Sequence, residues 1–524
     1  MVKHAGKVSL VASLALLAGG VVSVTQDDGG GRQIDVGARF HQQVITWETC
    51  RVPSPAGEPS ITEVESRSNL DCGVIKVPKD YRNLDGETIE IAISRLSARD
   101  KGRRLGVLVL NPGGPGGEGL FMPAKVARQN VELSRNFDLI GFDPRGTGRS
   151  TALKCDGPSR SQRVITRPTK EEMLHIMEEA RTYEENCQRG NEGLRPFINT
   201  ANTARDIDVM RAILSEGSIS YLGVSYGSYL GAVYGTLFPG RLNRSVLDSS
   251  MHPNWLYYEA TKQMPIAAKE NLEEWADWVS HRNSRYGLGS SRGEVMAAIE
   301  GIADGLEGQK VSASPASPPR MSLDRNRFDQ FLGTFGARPK WHKIALMVSE
   351  LRLSLLKAAP LRTDLVKLIG KSATAQDDGQ LNGTHATVTC EVEWPTHPDV
   401  YYEEMSRFVR EFPYGKGATA AAPTACTFRS FGLTEQHVIP ERKGYPAGLV
   451  VQATHDPKTP YEGGVAMARK LSHRLLTVRD EGTHGMHGSN RCATGRIAKY
   501  LIEGVLPEVG ASCAGAPRPS VGAE

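Results

Sequence analysis

The sequence has little net charge for its length. Its 524 residues include 63 lysines and arginines and 59 aspartates and glutamates, which leaves a formal charge of +4. This small excess gives no reason to expect nucleic acid as a partner. The chain also lacks C-x-x-C and H-E-x-x-H, spacings that would have pointed to a metal site. With 39% hydrophobic and 23% charged residues, the composition excludes collagen-like, coiled-coil and wholly disordered proteins.

The amino end carries the pattern of an export signal. Two lysines precede residues 8–24, which are almost all apolar or small, and a polar, glycine-rich segment follows at residues 26–31. This order is typical of a secretory signal peptide, which we predict at residues 1–24, followed by a flexible segment at residues 25–44. A membrane anchor is the alternative, because the apolar run is near the lower length limit for crossing a bilayer. No basic stop-transfer segment follows the run, so we expect cleavage and no stable membrane insertion afterwards.

Cysteine is scarce, but its placement is informative. All eight cysteines follow the predicted signal peptide, and they form four couples of neighbours along the chain. An even number in a secreted protein, whether extracellular or associated with the cell envelope, favours disulfides over free thiols. Neighbour pairing is the simplest of many connectivities, and the sequence alone does not establish it: Cys50 with Cys72, Cys155 with Cys187, Cys390 with Cys426, and Cys492 with Cys513.

Short apolar segments occur in two separate portions of the chain. They lie at residues 73–77, 88–93, 106–110, 137–141, 219–223 and 245–247, and again at residues 448–452 and 475–478. The runs at residues 106–110, 137–141 and 219–223 are apolar almost throughout, which suits strands buried on both faces of a parallel sheet. Segments with helical apolar spacing lie between them, at residues 203–214, 461–471 and 490–502. The alternation predicts an α/β fold.

A long stretch without this alternation separates the two portions. The chain is longer than one typical domain, so it forms either two domains or one domain with a large insertion. We predict a core in two parts, residues 45–250 and 436–513. Between them, residues 251–435 form a mainly helical insertion, and a loose tail follows at residues 514–524.

The pattern G-x-S-x-G occurs twice, and its surroundings separate the two occurrences. Ser225, at residues 223–227, follows an apolar strand and precedes a helix-compatible run. A nucleophilic serine on a sharp strand-to-helix turn needs that arrangement. Ser291, at residues 289–293, has no strand before it. We therefore predict Ser225 as a catalytic nucleophile, with an ordinary tight turn as the alternative.

A nucleophilic serine needs a base, and the base needs an orienting acid. In hydrolases whose nucleophilic serine lies on a strand-to-helix turn, the chain order is serine, then acid, then histidine. Asp456 and His484 follow strands 448–452 and 475–478, where open α/β sheets place their ligands. They fit a triad in which His484 takes the Ser225 proton and Asp456 orients the imidazole. Three residues remain alternatives by position: Asp248, His455 and His487.

A glycine-rich loop, NPGGPGG at residues 111–117, follows the strand at 106–110. Such a loop can turn a backbone N–H towards a reacting carbonyl oxygen, with the N–H of Tyr226 as a second donor. The alternative is a dinucleotide site, because residues 114–119 also read G-x-G-x-x-G and Asp138 and Asp143 lie where a ribose-binding acid is expected. The prolines fit a phosphate-binding helix poorly, and an exported protein meets little dinucleotide. We therefore expect no cofactor.

These motifs together resemble one known family. The carrying segments are residues 111–117, 138–150 (DLIGFDPRGTGRS), 221–231 (YLGVSYGSYLG), 454–460 (THDPKTP) and 482–485 (GTHG). The chain looks like a secreted α/β-hydrolase of the tripeptidyl aminopeptidase and prolyl aminopeptidase family. The similarity covers both core parts and is much weaker in the insertion. The resemblance implies an α/β-hydrolase fold, a mostly parallel sheet flanked by helices, with the insertion as a cap over the serine.

The resemblance also implies roles for particular residues. The family triad corresponds to Ser225, Asp456 and His484, and its oxyanion donors correspond to Gly114 and Tyr226. In such caps, acidic residues hold the substrate ammonium, because a buried cation needs a paired charge. Position alone suggests four candidates in the cap, and a fifth stands where relatives carry a small residue in the glycine loop: Glu391, Glu393, Glu403, Glu404 and Glu118.

The function that this resemblance implies is that of a secreted serine exopeptidase. It would release short peptides, with three residues as the expected length, from free N-termini of peptides or proteins. Two alternatives remain: a secreted esterase or lipase with the same triad, and a non-catalytic exported binding protein. The sequence does not reveal the oligomeric state.

Overall fold

The computed structural model describes most of the chain. The described residues are 38–50, 70–155, 164–191, 193–308, 311–312, 322–357, 362–374 and 383–522. The predicted signal peptide, residues 1–24, and most of the predicted flexible segment lie outside them. Among the helices within these ranges, none is long and apolar enough to cross a membrane.

A ten-stranded sheet forms the centre of the molecule. From one edge to the other its strand order is β1-β2-β3-β5-β4-β6-β7-β10-β11-β12, and every pair from β5 to β12 is parallel. The first three strands join the sheet antiparallel. The strands are β1 (Glu48–Thr49), β2 (Leu70–Pro78), β3 (Thr88–Leu96), β4 (Val107–Asn111), β5 (Asp138–Phe142), β6 (Ile219–Val224), β7 (Leu242–Asp248), β10 (Leu449–Ala453), β11 (Arg474–Arg479) and β12 (Ser512–Ala514); β8 (Val311–Ser312) and β9 (Ser322–Leu323) form a separate pair. The prediction of a mostly parallel sheet is confirmed.

Helices cover both faces of the sheet. The helices are α1 (Ala38–His41), α2 (Met122–Gln129), α3 (Val131–Asn136), α4 (Lys170–Arg189), α5 (Thr200–Ile213), α6 (Tyr226–Leu237), α7 (Tyr258–Ser280), α8 (Asn283–Tyr286), α9 (Arg292–Gly305), α10 (Arg325–Leu332), α11 (Trp341–Leu356), α12 (Thr363–Thr374), α13 (Gly383–Val388), α14 (Pro398–Glu411), α15 (Tyr461–Leu471) and α16 (Arg491–Glu503). Helices α5, α6 and α15 contribute to the apolar core on one face, and α2, α3 and α16 to the core on the other.

The central strands are buried on both faces because their side chains alternate between these two cores. In β4, for example, Val109 belongs to the first core and Leu108 to the second, and all five residues of this strand are buried. This double burial is the reason that the strands read as continuous apolar runs in the sequence. The helices predicted at 203–214, 461–471 and 490–502 are confirmed as α5, α15 and α16.

The chain between β7 and β10 adds a helical layer with its own core. Trp275 of α7 and Trp341 of α11 are fully buried there, with apolar residues from α9, α10 and α12. A smaller apolar cluster joins Met173 and Ile176 of α4 to Met405 and Phe408 of α14. Helix α4 precedes β6 in the chain, so the helical layer draws on residues outside the predicted insertion 251–435.

The carboxy-terminal end differs from the prediction of a loose tail at 514–524. Within residues 514–522, the part of that tail which the structure describes, the N–H of Gly515 donates to the carbonyl oxygen of Arg479 over 2.7 Å. Arg518 forms two hydrogen bonds of 2.8 Å with Asp480 and one of 3.0 Å with Glu274 of α7. The small and proline-containing sequence suggested looseness, but tertiary hydrogen bonds order the segment and connect the sheet to the helical layer.

Four disulfides join sequential neighbours, in the pattern that the sequence left open. They are Cys50–Cys72, Cys155–Cys187, Cys390–Cys426 and Cys492–Cys513. Each closes a local loop, and no cysteine in the described ranges is free.

Candidate active site

The segment GVSYG at residues 223–227 forms a sharp turn from β6 into α6. Ser225 has φ of 59° and ψ of −126°, a conformation that L-residues rarely adopt. A Cβ on Gly223 would collide with the carbonyl oxygen of Gly227, and a Cβ on Gly227 would lie 2.7 Å from Oδ1 of Asn111. The two glycines are therefore required by close approach of backbone and side chains, as a nucleophile elbow requires.

The second occurrence of the pattern has a different structure. Ser291 lies on the surface and begins helix α9, where its hydroxyl accepts a hydrogen bond of 3.2 Å from the N–H of Glu294. Its role is that of a helix cap, because a serine oxygen satisfies a backbone N–H that has no partner within the helix. The two serines therefore lie in different local structures, one in a strand-to-helix turn and one at a helix start.

Asp456 and His484 lie together at the carboxyl ends of adjacent strands. Nδ1 of His484 is 2.9 and 3.0 Å from the two carboxylate oxygens of Asp456, which is fully buried. The carboxylate also accepts hydrogen bonds from the N–H of Lys458, and from the N–H and hydroxyl of Thr459. Burial raises the pKa of Asp456, but the charge and hydrogen bond of His484 and these N–H donors outweigh it and lower the pKa below its ordinary value. An ionised Asp456 favours the imidazole tautomer with a proton on Nδ1, which leaves Nε2 as a base.

The end of β7 contacts both the turn of Ser225, residues 223–227 (the serine turn), and the loop that carries His484, residues 480–490 (the histidine loop). The N–H of Ser225 donates to the carbonyl oxygen of Asp248 over 2.9 Å. The carboxylate of Asp248 accepts from the N–H of Met486 and of His487, over 2.9 and 2.7 Å. A Cβ on Gly485 would lie 3.6 Å from a methyl group of Val224. Ser225 and His484 therefore lie at the same end of the sheet, where the parallel strands have their carboxyl ends.

The three alternative residues make other contacts. Asp248 bonds to backbone N–H groups, and no imidazole nitrogen lies among its hydrogen-bond partners in the described residues. His487 is buried, and burial together with the charge of Lys125 lowers its pKa to about 4. His455 donates its N–H to the carbonyl oxygen of Glu481, and burial also lowers its pKa. The geometry favours Asp456 and His484 over these residues.

The glycine-rich loop passes directly beside Ser225. Gly113 has φ of +94°; a Cβ there would collide with the carbonyl oxygen of Val224 and lie 3.1 Å from the nitrogen of Tyr226. Gly114 follows with φ of +117°. The N–H of Tyr226 starts helix α6, where backbone N–H groups lack intrahelical partners. The glycine-rich loop and the start of α6 are thus in close contact beside Ser225.

The acids considered for a dinucleotide site are turned into the protein. Asp143 accepts hydrogen bonds from the N–H of Gly119 and of Arg149, over 2.8 and 2.9 Å. Asp138 accepts from the N–H of Ala98 and from Arg104. These contacts occupy both carboxylates, and they support the interpretation of the glycine loop as part of a hydrolase site.

The segment at residues 138–150 has a structural role that sequence reasoning missed. Arg145 is fully buried and forms a double hydrogen bond with Asp206 of α5, over 2.6 and 2.7 Å. Tyr81 also donates its hydroxyl to Asp206, over 2.7 Å. The remaining guanidinium N–H groups donate to three carbonyl oxygens, of Pro78, Lys79 and Phe197. No pattern signals a buried arginine, because its partners are distant in the sequence.

Glu391 is the one candidate for ammonium binding that is buried. Its carboxylate accepts hydrogen bonds from the N–H and hydroxyl of Thr200, over 2.7 and 2.6 Å, and from the hydroxyl of Tyr257, over 2.6 Å. The Thr200 hydroxyl is also 2.8 Å from that of Tyr226. Burial raises the pKa of Glu391 above its ordinary value, although these donors oppose the effect. Three donors already occupy this carboxylate.

The other acidic candidates lie closer to solvent. Glu118, Glu393 and Glu403 are exposed, and Glu393 forms an ion pair with Arg429. Glu404 is half-buried and pairs with Arg407 over 2.9 Å. The structure does not bring these residues together into one acidic site.

Strand order, the serine turn, and an acid and a histidine after successive strands define the class of an α/β-hydrolase. Comparison with known families agrees. The family model described as alpha/beta hydrolase fold matches residues 106–299, and the model described as TAP-like protein matches residues 412–513.

Characterised relatives narrow the class to one family. The chain is 32% identical to the tripeptidyl aminopeptidase of Streptomyces lividans, over 92% of this chain and 89% of that protein. It is 28% identical to the serine protease Hip1 of Mycobacterium tuberculosis, and 27% identical to the carboxylesterase B of the same species, in each case over 96% of both chains. The chain belongs to the tripeptidyl aminopeptidase family of α/β-hydrolases, and it is a serine peptidase of that family.

Proposed function

We propose that the protein is a secreted serine exopeptidase that releases tripeptides from free N-termini, with Ser225, His484 and Asp456 as its catalytic triad. The observation that carries the proposal is the distance of 2.9 Å between Nδ1 of His484 and the carboxylate of Asp456, at the same carboxyl end of the parallel strands as the turn of Ser225. The tripeptidyl aminopeptidase relative supports the length of the released peptide. The four disulfides support an oxidising, extracellular location.

In the proposed reaction, Nε2 of His484 takes the hydroxyl proton as the oxygen of Ser225 attacks the scissile carbonyl carbon. The N–H groups of Gly114 and Tyr226 stabilise the oxyanion. Asp456 holds the imidazole and stabilises the imidazolium. The C–N bond then breaks, the leaving amine takes the proton from His484, and an acyl-enzyme remains on Ser225. Water, deprotonated by His484, attacks this ester. The C–O bond to Ser225 breaks, His484 returns the proton to the serine oxygen, and the peptide acid is released.

Mass spectrometry of the products from unblocked peptides of different length tests the proposal. We expect release of three-residue fragments, labelling of Ser225 by a serine-directed fluorophosphonate, and no turnover when the peptide is N-acetylated. Ser225→Ala is the control for the triad, and Ser291→Ala is a matched control at the second G-x-S-x-G. A Ser225→Ala enzyme with full activity would disprove the assignment of the nucleophile.

An esterase with the same triad is the second candidate, because carboxylesterase B is also among the relatives. Such an enzyme would hydrolyse simple acyl esters without any need for a free amine. If acyl esters with a free amine and with an acetylated amine are hydrolysed at equal rates, and Ser225→Ala loses both activities, the esterase is supported and the exopeptidase is refuted. One- or two-residue products would keep the exopeptidase but correct its fragment length.

A further inference from the structure

Asp248 binds the serine turn through its backbone carbonyl group and the histidine loop through its side-chain carboxylate. Its carbonyl oxygen accepts the N–H of Ser225 over 2.9 Å. Its carboxylate accepts the N–H of Met486 and of His487, the second and third residues after His484. The residue is fully buried as the last residue of β7, between β6 and β10 in the sheet.

We propose that Asp248 is a positioning residue, which sets the distance between Ser225 and His484 by tying the turn of the one and the loop of the other to the same strand end. This inference rests on the proposed triad. It differs from the role of an orienting acid, since Asp456 has that contact with the imidazole. Proton transfer requires that the imidazole of His484 lie within hydrogen-bond distance of the Ser225 hydroxyl. A histidine loop without its hydrogen bonds to Asp248 would therefore spend less time in that geometry.

The anchor needs an acceptor with several lone pairs. Both oxygens of Asp248 accept from Met486, and one of them also accepts from His487. The adjacent Ser249 extends the anchor, because its hydroxyl oxygen accepts the N–H of Gly485 over 2.8 Å. Three successive N–H groups of the histidine loop are thus held by two successive residues. An asparagine at position 248 would keep the volume but replace one acceptor oxygen with a donor NH₂ group.

The charge of the carboxylate adds a second effect. Burial and, to a smaller extent, the charge of Asp456 raise the pKa of Asp248 to about 6, although the N–H groups of the loop and the charge of His484 oppose the rise. These two charged side chains come from the loops after β10 and β11. Above that pH a negative charge lies near the imidazole and favours the imidazolium that forms when Ser225 loses its proton.

The test compares Asp248→Asn with a matched buried control, Asp138→Asn. Asp138 opens β5 at the opposite end of the parallel strands and also accepts a backbone N–H, from Ala98. We expect Asp248→Asn to lower kcat by about 10- to 100-fold with KM changed less than about twofold, as small misplacements of catalytic groups do. Its acidic limb of kcat/KM against pH moves to lower pH, because the imidazolium loses a nearby negative charge. Asp138→Asn leaves that limb in place.

A wild-type kcat and an unmoved acidic limb in folded Asp248→Asn would overturn the proposal. If this variant does not fold, Ser249→Ala removes the neighbouring acceptor: a lower kcat at unchanged KM supports the anchor, and an unchanged kcat overturns it. Ser225→Ala separates the two levels of inference. Full activity in Ser225→Ala refutes the proposed function itself, whereas an inactive Ser225→Ala beside an unaffected Asp248→Asn refutes the role of Asp248 alone.

Discussion

Replacing the buried Arg145 by methionine tests whether the segment 138–150 serves mainly to hold the fold. The guanidinium has no exposed surface and is bonded to Asp206, whose side chain is also buried. Methionine approximates the length of arginine and removes its charge and all its donors. The loss therefore leaves Asp206 as a buried carboxylate with only Tyr81 as hydrogen-bond donor among the described contacts.

The magnitude follows from that unpaired charge. Removing one partner of a buried ion pair costs about 3–5 kcal/mol, and the three carbonyl oxygens that lose a charged donor add to the loss. Arg145→Met combined with Asp206→Asn removes both charges, so the double variant loses less stability than the two single variants together. Burial already raises the pKa of Asp206 despite the opposing charge of Arg145. Without Arg145 that pKa rises further, so the folded state binds a proton that the unfolded state releases, and the destabilisation grows as pH increases through the folded pKa.

Urea unfolding followed by tryptophan fluorescence measures these differences in the free energy of unfolding. The wild type, the two single variants and the double variant form a double-mutant cycle, and all four are compared at two pH values with disulfides intact. A loss of less than about 1 kcal/mol in Arg145→Met, the range of an exposed ion pair, would refute the reasoning. Strict additivity of the two single variants would refute it as well, because groups in direct contact are expected to couple.

Three further predictions concern the site, the sheet and the carboxy-terminal segment. Asp456→Asn lowers kcat by about 10⁴-fold with little change in melting temperature, because the imidazole loses its orienting partner; steady-state kinetics and calorimetry measure the two effects. Gly231→Ala lowers the melting temperature, since its Cβ would collide with the ring of Tyr221, whereas Gly293→Ala, which meets no atom within 4 Å, does not. Arg518→Gln weakens its contacts with two carboxylates and costs about 1 kcal/mol, seen as faster limited proteolysis between the sheet and the helical layer; equal digestion rates would contradict it.

The parts of the fold that were predictable from sequence are those decided by local pattern. β4, β5 and β10 appear as runs that are apolar almost throughout, because burial on both faces leaves few polar positions. The serine turn was predictable because Gly223 is required by a contact with Gly227 inside the pattern itself, although Gly227 approaches Asn111, which is distant in the sequence. Packing between distant segments leaves no such signal. Neither the contact of α4 with α14 nor the ordering of residues 514–522 was predictable, since both depend on partners far away in the chain.

Three of the aspartates at the carboxyl ends of core strands show where sequence reasoning about the site reaches its limit. Asp143, Asp248 and Asp456 follow or end β5, β7 and β10, and each accepts backbone N–H groups from a nearby loop. Strand-end position therefore indicates an anchored loop, which all three residues provide. A chemical role requires one more contact, a side chain that can carry a proton, and only Asp456 of the three has an imidazole within hydrogen-bond distance among the described residues. Asp248 lies close enough to act on the same imidazole by its charge alone. Substitution at position 248 is therefore expected to alter the pH profile and the geometry together, whereas substitution at position 456 removes the hydrogen-bond partner of His484, the proposed base.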